Sequence, residues 1–407
     1  MEGSKDHDGA ADPRAEGAGC GERDASATQA ARAPGAPVTP TRNGYDASRT
    51  GHADASDPGP DAEQRRTYAA LDLGTNNCRL LVAQPTRRGF KVKTSFSRII
   101  RLGEGLSASG RLSEEAIERT IEALKVCAGK MHSLRVERAG LIATEACRSA
   151  SNAQDFLGRA RAATGLDIKV ISRETEAKLA VAGCASLLDT TSDLALVFDI
   201  GGGSSELIWL DLSRRRHRWG RSMPDRLEVQ SCIAAWTSLP VGVVTLAERF
   251  GSRTVDNAAF EAMVAHVSGL LAPFEAEHGL RERSKGRSVH MLGTSGTVTT
   301  LAGVHLGLPR YDRSKVDGCW LGSERARAVT AGLLASSFEE RAAQPCIGET
   351  LAEFVLGGCA ILEAMLRTWP CERLRVADRG LREGILATLM AEDGVYRSDR
   401  RNGYWRR

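Results

Sequence analysis

Asp72-Leu-Gly-Thr75 and Asp199-Ile-Gly-Gly202 are two versions of one short pattern, an acid followed two positions later by a glycine. Each closes an apolar run, Tyr68–Leu71 in one case and Leu194–Phe198 in the other, and each precedes a second run, Cys78–Ala83 or Leu207–Leu210. This spacing predicts strand, tight turn and strand, twice over. Glycine lets the backbone approach a ligand closely, and successive N–H groups in such a turn form an anion-binding concavity. An aspartate beside it can hold a cation or a water. Two facing copies imply a cleft for phosphate groups and a divalent metal.

The block Asp199–Glu206 is the richer of the two. Gly201, Gly202 and Gly203 offer N–H groups to a phosphate, and Ser204 or Ser205 adds a hydroxyl. With Glu206 on the outgoing strand, Asp199 and Glu206 can point at one metal-bound phosphate. In the partner loop Gly74 supplies the turn, Thr75, Asn76 and Asn77 supply donors, and Asp72 can orient a metal-bound water. A single such loop reads equally well as an ordinary hairpin turn, since Asn and Gly are common turn residues. The pairing of two loops favours function. Arg148 follows a buried strand at its C-terminal side, where ligands collect in open α/β sheets. Its planar fork suits two phosphate oxygens, the alternative being a pair with Glu145. Gly293–Thr297 is a further glycine-bounded turn, opening a helix.

The elements that must position these residues alternate between strand and helix. Phe90–Phe96, Ala139–Thr144 and Ile168–Ser172 are expected strands; Ala153–Ala163 and Glu174–Leu188 are expected helices. Ser113 should cap a helix whose first turn holds Glu114 and Glu115, with Ile117, Ile121, Leu124 and Ala128 on its core face. The second half repeats the plan with strands Leu194–Ile200, Glu206–Asp211 and Ser288–Leu292 and helices across Phe260–Glu277 and Val298–His305. Ser213–Ala235 reads as a long surface loop or hairpin. The expected fold class is α/β, with two domains spanning 67–192 and 193–391, the closing helix 381–391 returning to the first.

Composition sets the bounds. The 407 residues, 42% hydrophobic and 26% charged, suffice for two cores. Residues 1–66 hold no Leu, Ile, Phe or Trp and should be disordered. Arg214–Arg218 and the basic tail 392–407 can touch a polyanion, although short arginine runs are usually solvated. A formal charge of +4 is too small to argue for nucleic acid. No apolar run is long enough for a membrane span. Ten cysteines without a Cys-x-x-Cys pair fit a reducing, cytoplasmic setting.

Six segments in order carry a resemblance: Asp72–Asn77, Ala143–Arg148 with Asn152, Ile171–Ala177, Asp199–Glu206, Gly293–Gly296 and Gly380–Gly384. From about Thr67 to Met390 the chain resembles the exopolyphosphatase / guanosine pentaphosphate phosphohydrolase family, within the superfamily of actin-like ATPases and sugar kinases. The resemblance implies two actin-like, ribonuclease H-like domains with the active site in the cleft between them. It implies a Mg²⁺-dependent phosphohydrolase that releases orthophosphate from the end of polyphosphate, or from guanosine pentaphosphate. It puts the catalytic glutamate at Glu176, Arg148 on the terminal phosphate, and Asp199, Glu206 and Asp72 on the metal. Arg173-Glu174-Thr175 stands where relatives often carry a glycine and an extra acid. The added helical domain of longer relatives is absent beyond Gly380–Gly384, which bears on processivity with long polymers. Similar proteins are commonly dimers. A kinase or ATPase, or a nucleotide-binding sensor without turnover, are the alternatives.

Overall fold

The computed structural model describes residues 66–86, 89–214 and 227–396. The disorder expected for 1–65, most of the basic run at 214–218 and the tail from 397 lie outside these residues. Strands β1 (Tyr68–Leu73), β2 (Asn77–Thr86) and β3 (Gly89–Ile99) form an antiparallel meander. To β1 are added, in parallel, β4 (Arg138–Ala143) and then β5 (Lys169–Val170), giving the order β3-β2-β1-β4-β5. The second sheet repeats this plan. Its meander is β6 (Leu194–Ile200), β7 (Ser205–Asp211) and β8 (Ile233–Leu239), and β9 (Val289–Thr294) lies parallel to β6. Beyond β9 come β11 (Arg373–Ala377), parallel, and the short antiparallel edge strand β10 (Trp320–Gly322).

The central strands are apolar because both their faces are covered. In β1 and β6 every residue is buried except Asp72 and Asp199, each one position before the strand's end. One face of the first sheet packs on helices α1 (Glu114–Ser133) and α3 (Ala153–Thr164) through Leu71, Leu80, Ile117, Leu124 and Phe156. The Ser113 hydroxyl caps α1 by accepting the Ala116 N–H, as its sequence predicts. Between α1 and α3 a one-turn helix, α2 (Glu145–Ser149), follows β4 directly. Helix α4 (Arg173–Cys184) covers one face of the second sheet through Ala177, Val181 and Cys184. The opposite face carries the largest core, with α6 (Asn257–His278) and α9 (Val355–Thr368). Helices α5 (Val243–Phe250), α7 (Gly296–His305) and α8 (Ser323–Ala335) complete that half. The closing helix α10 (Leu381–Glu392) packs on the first sheet through Leu381, Ile385 and Met390. Both sheets lie in one compact unit.

Two expectations change. The strand expected at Ile168–Ser172 shortens to Lys169–Val170, because Ser172 is taken as the cap of α4. The described part of the loop expected over Ser213–Ala235 ends in a 3₁₀ turn, Glu228–Cys232, and then β8, which exists because β7 offers it a free edge.

Helices α4 and α10 hold the centre of the molecule and meet at glycines. A Cβ at Gly183 would overlap the Gly380 carbonyl oxygen, and one at Gly384 the Leu179 carbonyl oxygen. Backbone is the obstacle in both cases, so no side chain can yield. Gly384→Ala is expected to lower stability by roughly 2–3 kcal/mol in urea unfolding. Gly129→Ala in α1, where a Cβ meets nothing, should leave stability unchanged or raise it by up to about 1 kcal/mol.

Candidate active site

The two acid-glycine turns are the same hairpin built twice. Gly74 N–H bonds the Asn77 carbonyl at 2.9 Å, and Gly201 N–H bonds the Ser204 carbonyl at the same distance. Asp72 pairs in register with Arg79, and Asp199 with Glu206. Directly opposed residues share a face, so Asp199 and Glu206 point the same way, as do Asp72 and Arg79. The loops then press together. A Cβ at Gly202 would lie 3.2 Å from the Thr75 Cβ, and one at Gly203 2.9 Å from the Thr75 hydroxyl. Glycine is required here by loop-to-loop contact, whatever N–H groups it also presents.

Between the loops lies a cavity of about 130 Å³. Asp72, Asp199, Glu206 and Glu176 are on its wall, together with Gly74, Thr75, Asn76, Asn77, Gly201, Gly202, Gly203 and Ser204. The third turn contributes Ser295, Gly296 and Thr297, with Ser295 in the left-handed region at φ 106°. Leu351, Phe354, Val355 and Leu381 make an apolar flank. Of the residues singled out in the sequence, Arg148, Ser205, Gly293 and Thr294 are not on the wall, the Ser205 hydroxyl being bonded to the Val241 carbonyl.

Arg148 stands behind Glu176. Its Nη1 bonds Glu176 Oε2 at 2.8 Å and the Ile171 carbonyl at 3.0 Å, while Nε and Nη2 bond Glu145 Oε2 at 3.0 and 2.9 Å. Arg173 forks both oxygens of the same Glu145, at 3.1 and 2.7 Å. Ser172 caps α4 by accepting the Thr175 N–H and so fixes the first turn, where Glu176 sits. The Arg148 fork is thus already filled by protein carboxylates. Ser204 is likewise committed: its hydroxyl bonds Glu206 Oε1 at 2.8 Å, and Ser238 adds a second bond at 2.9 Å.

Charge is concentrated strongly. Burial raises the carboxyls of Asp72 and Asp199 above the usual range, with Arg79 opposing it at both. Burial and then the Asp199 charge push Glu206 up to about 7. Glu176 is raised to about 9 through burial and the charge of Glu206, against the pull of Arg148. Glu145 differs: burial pushes it up, but the bonds from Arg173, Ser149 and Arg148 outweigh that and hold it low. A carboxylate held by two guanidinium groups is a poor base. Glu176, by contrast, is raised into the basic range and stands on the cavity wall.

The sequence reading passed over Arg79 and Arg382. Arg79 lines the cavity and acts on both aspartates, and Arg382 is half-buried and acts on Asp72. The repeat itself held the signal for Arg79. It stands seven positions after Asp72, as Glu206 stands seven after Asp199. For a cation, Asp72, Asp199 and Glu206 offer oxygen donors suited to a hard ion. Among the described residues no three such side chains form a ready-made metal cage.

A duplicated α/β unit, with a phosphate-type loop from each copy on one cavity, defines a two-sheet protein of the actin-like class. The family model for the Ppx/GppA phosphatase family matches residues 81–393, and the chain belongs to that family. Its fold is similar to the crystal structure of the Aquifex aeolicus family member, at 28% identity and TM-score 0.63, over 81% of this chain and 98% of that one. An exopolyphosphatase-like protein matches at 27% identity and TM-score 0.68, over 80% and 97%. An exopolyphosphatase from Cytophaga hutchinsonii shares the fold at 24% identity and TM-score 0.70, over 80% and 98%.

The raised Glu176 carboxyl links stability to pH. Its ordinary value is 4.5 and its folded value about 9, so between them the unfolded chain loses the proton first. Stability in ion-free buffer should therefore be highest at low pH within that window and decline as pH rises. Urea midpoints between about pH 5 and about pH 8 should fall for the wild type and fall less steeply for Glu176→Gln. Equal slopes for the two proteins would show that the strained proton is not on Glu176.

Proposed function

We propose that the protein is a metal-dependent exopolyphosphatase that releases terminal orthophosphate from inorganic polyphosphate. The observation that carries this reading is Glu176, enclosed on the cavity wall opposite two loops built to face phosphate. A kinase needs an acceptor site at that place; a carboxyl of raised pKa suits water as the acceptor. The Ppx/GppA family membership and a neighbour described as an exopolyphosphatase support the same chemistry.

In this reading the N–H groups of Thr75–Asn77 and Gly202–Ser204 and the Arg79 guanidinium take the terminal phosphoryl oxygens, the Gly74 and Gly201 N–H groups being spent on their own turns. Asp72, Asp199 and Glu206 hold Mg²⁺, which when bound neutralises the phosphate oxygens and the surrounding carboxylates. Arg148 occupies Oε2 of Glu176 and leaves Oε1 to accept the proton of the attacking water. The new bond joins water oxygen to phosphorus, and the bridging oxygen leaves with its electron pair on the shortened chain. Arg148 is then a positioning residue for Glu176, because its own fork is filled. No described helix is long and apolar enough to cross a membrane. The scattered cysteines of the sequence, without a Cys-x-x-Cys pair, support a reducing cytoplasm as the site of action.

Guanosine pentaphosphate is the second reading. The apolar flank of Leu351, Phe354, Val355 and Leu381 favours it, since a purine needs such a surface beside its phosphates. Phosphate release with Mg²⁺ from long-chain polyphosphate and from guanosine pentaphosphate, measured in parallel, decides between them. Glu176→Gln should reduce release by at least about a hundred-fold with nucleotide or polyphosphate binding retained. No release from either substrate by the wild type would refute the hydrolase and leave a sensor or kinase.

A further inference from the structure

We infer that Glu248 and Glu353 close on the turn Arg101–Ser107 as a clasp that sets the spacing of the two phosphate loops. Arg101, Glu248 and Glu353 are thereby positioning residues for the site; their effect on turnover rests on the hydrolase reading above. The contacts join the two halves far from each other in sequence. Arg101 Nη2 meets Glu353 Oε2 at 2.7 Å, and the guanidinium lies 5.9 Å from the Phe354 ring centre. Glu248 receives the Gly105 N–H on Oε1 at 3.0 Å and the Ser107 hydroxyl on Oε2 at 2.9 Å.

Each arm of the clasp is fastened to a phosphate loop by backbone. On the first side, the N–H groups of Ile100 and Arg101 bond the Asn76 carbonyl at 2.8 and 3.1 Å, and Gly103 N–H bonds that of Thr75 at 2.9 Å. On the second, Val243 and Val244 N–H bond the Gly201 and Gly202 carbonyls at 3.0 and 2.9 Å, and Glu248 rides on the same helix, α5. A movement at Glu248 is therefore delivered to Gly201–Gly202, and one at Arg101 to Thr75–Asn76.

Two further observations fit a joint. Arg101 has φ 46°, a left-handed conformation that a non-glycine residue keeps only where its surroundings over-determine it. Its N–H, carbonyl and guanidinium are all engaged, the carbonyl by Arg119 Nη2 at 3.4 Å. Beneath the clasp lies a cavity of about 230 Å³ walled by Thr75, Asn76, Val244, Ala247 and Phe354. The halves thus meet here through polar contacts over a gap rather than through packed core. The Arg101 and Glu353 side chains are 36% and 26% exposed, so the pair is weak enough to break and re-form as substrate enters and product leaves.

The test uses the full chain with the isosteric pair Glu248→Gln and Glu353→Gln, together with Arg101→Glu, Glu353→Arg and the combined charge swap. X-ray scattering should show a larger radius of gyration for the weakened variants, at unchanged helix content by circular dichroism. The charge swap should return the wild-type dimension. In the phosphate-release assay KM should rise about three- to ten-fold with kcat within about two-fold, because a less populated closed state lowers apparent affinity without altering the chemistry. Wild-type dimensions in every variant, or a swap no better than its single parents, would overturn the clasp. Absent phosphate release in the wild type would defeat the hydrolase reading instead, and the scattering comparison would still decide the clasp.

Discussion

Five carboxyl groups, those of Asp72, Glu145, Glu176, Asp199 and Glu206, share the wall of one cavity, and the rest of the molecule is arranged to tolerate that. Asp72 and Asp199 cannot retreat, because each stands near the end of a central strand covered on both faces. Glu206 is fixed opposite Asp199 by strand register, and Glu176 by the capped first turn of α4. Bringing such charges out of water costs several kcal/mol each unless they are paired or neutralised. Arg79, Arg382 and Arg148 supply part of the answer, yet Glu176 and Glu206 still sit far above their ordinary values. On the proposed reading, a cation arriving with the substrate would supply the missing positive charge.

The two hairpins share a backbone and differ in electrostatics. At matching positions the first carries Arg79 and the second Glu206. The first arm of the cleft is therefore cationic and rich in donors, through Thr75, Asn76 and Asn77. The second is anionic, through Asp199 and Glu206. Duplication alone would give a symmetric cleft. The exchange of Arg79 for Glu206 makes the arms unequal, with a guanidinium on one side and a carboxylate on the other. The arms can stand close because Gly202 and Gly203 leave room for Thr75.

Much of this was legible in the sequence, and the missing parts have physical causes. The strand-turn-strand repeats are local, and local periodicity shows them. Helix α1 announced itself by a serine cap and an amphipathic face. Helix α9 gave no such sign, because nearly every residue from Val355 to Leu366 is buried and an all-round apolar helix has no stripe. Strand β8 is made by pairing with β7, a long-range event. Within the site, residue type and spacing brought Glu176, the aspartates and both loops to one cavity. They could not tell which acid would own Arg148. Glu145 and Glu176 compete for that fork, and only three-dimensional placement shows that both hold it while Arg173 anchors Glu145. Ser204 is similar: a hydroxyl next to a glycine loop has the right chemistry for phosphate, yet a carboxylate two residues on claims it first.

That ownership makes the proposed base conditional. With a pKa of about 9, Glu176 holds its proton at neutral pH, and a protonated carboxyl cannot take one from water. What keeps it protonated is burial and the Glu206 charge, so positive charge placed near Glu206 removes the second of these. Arg148 by itself does not suffice, because it is shared with Glu145. On the proposed reading, the base is released only when the cation side of the cleft is filled, which is also when a phosphate chain has a reason to be there. The repulsion among the carboxyls of the site then becomes the means by which binding and proton transfer are coupled.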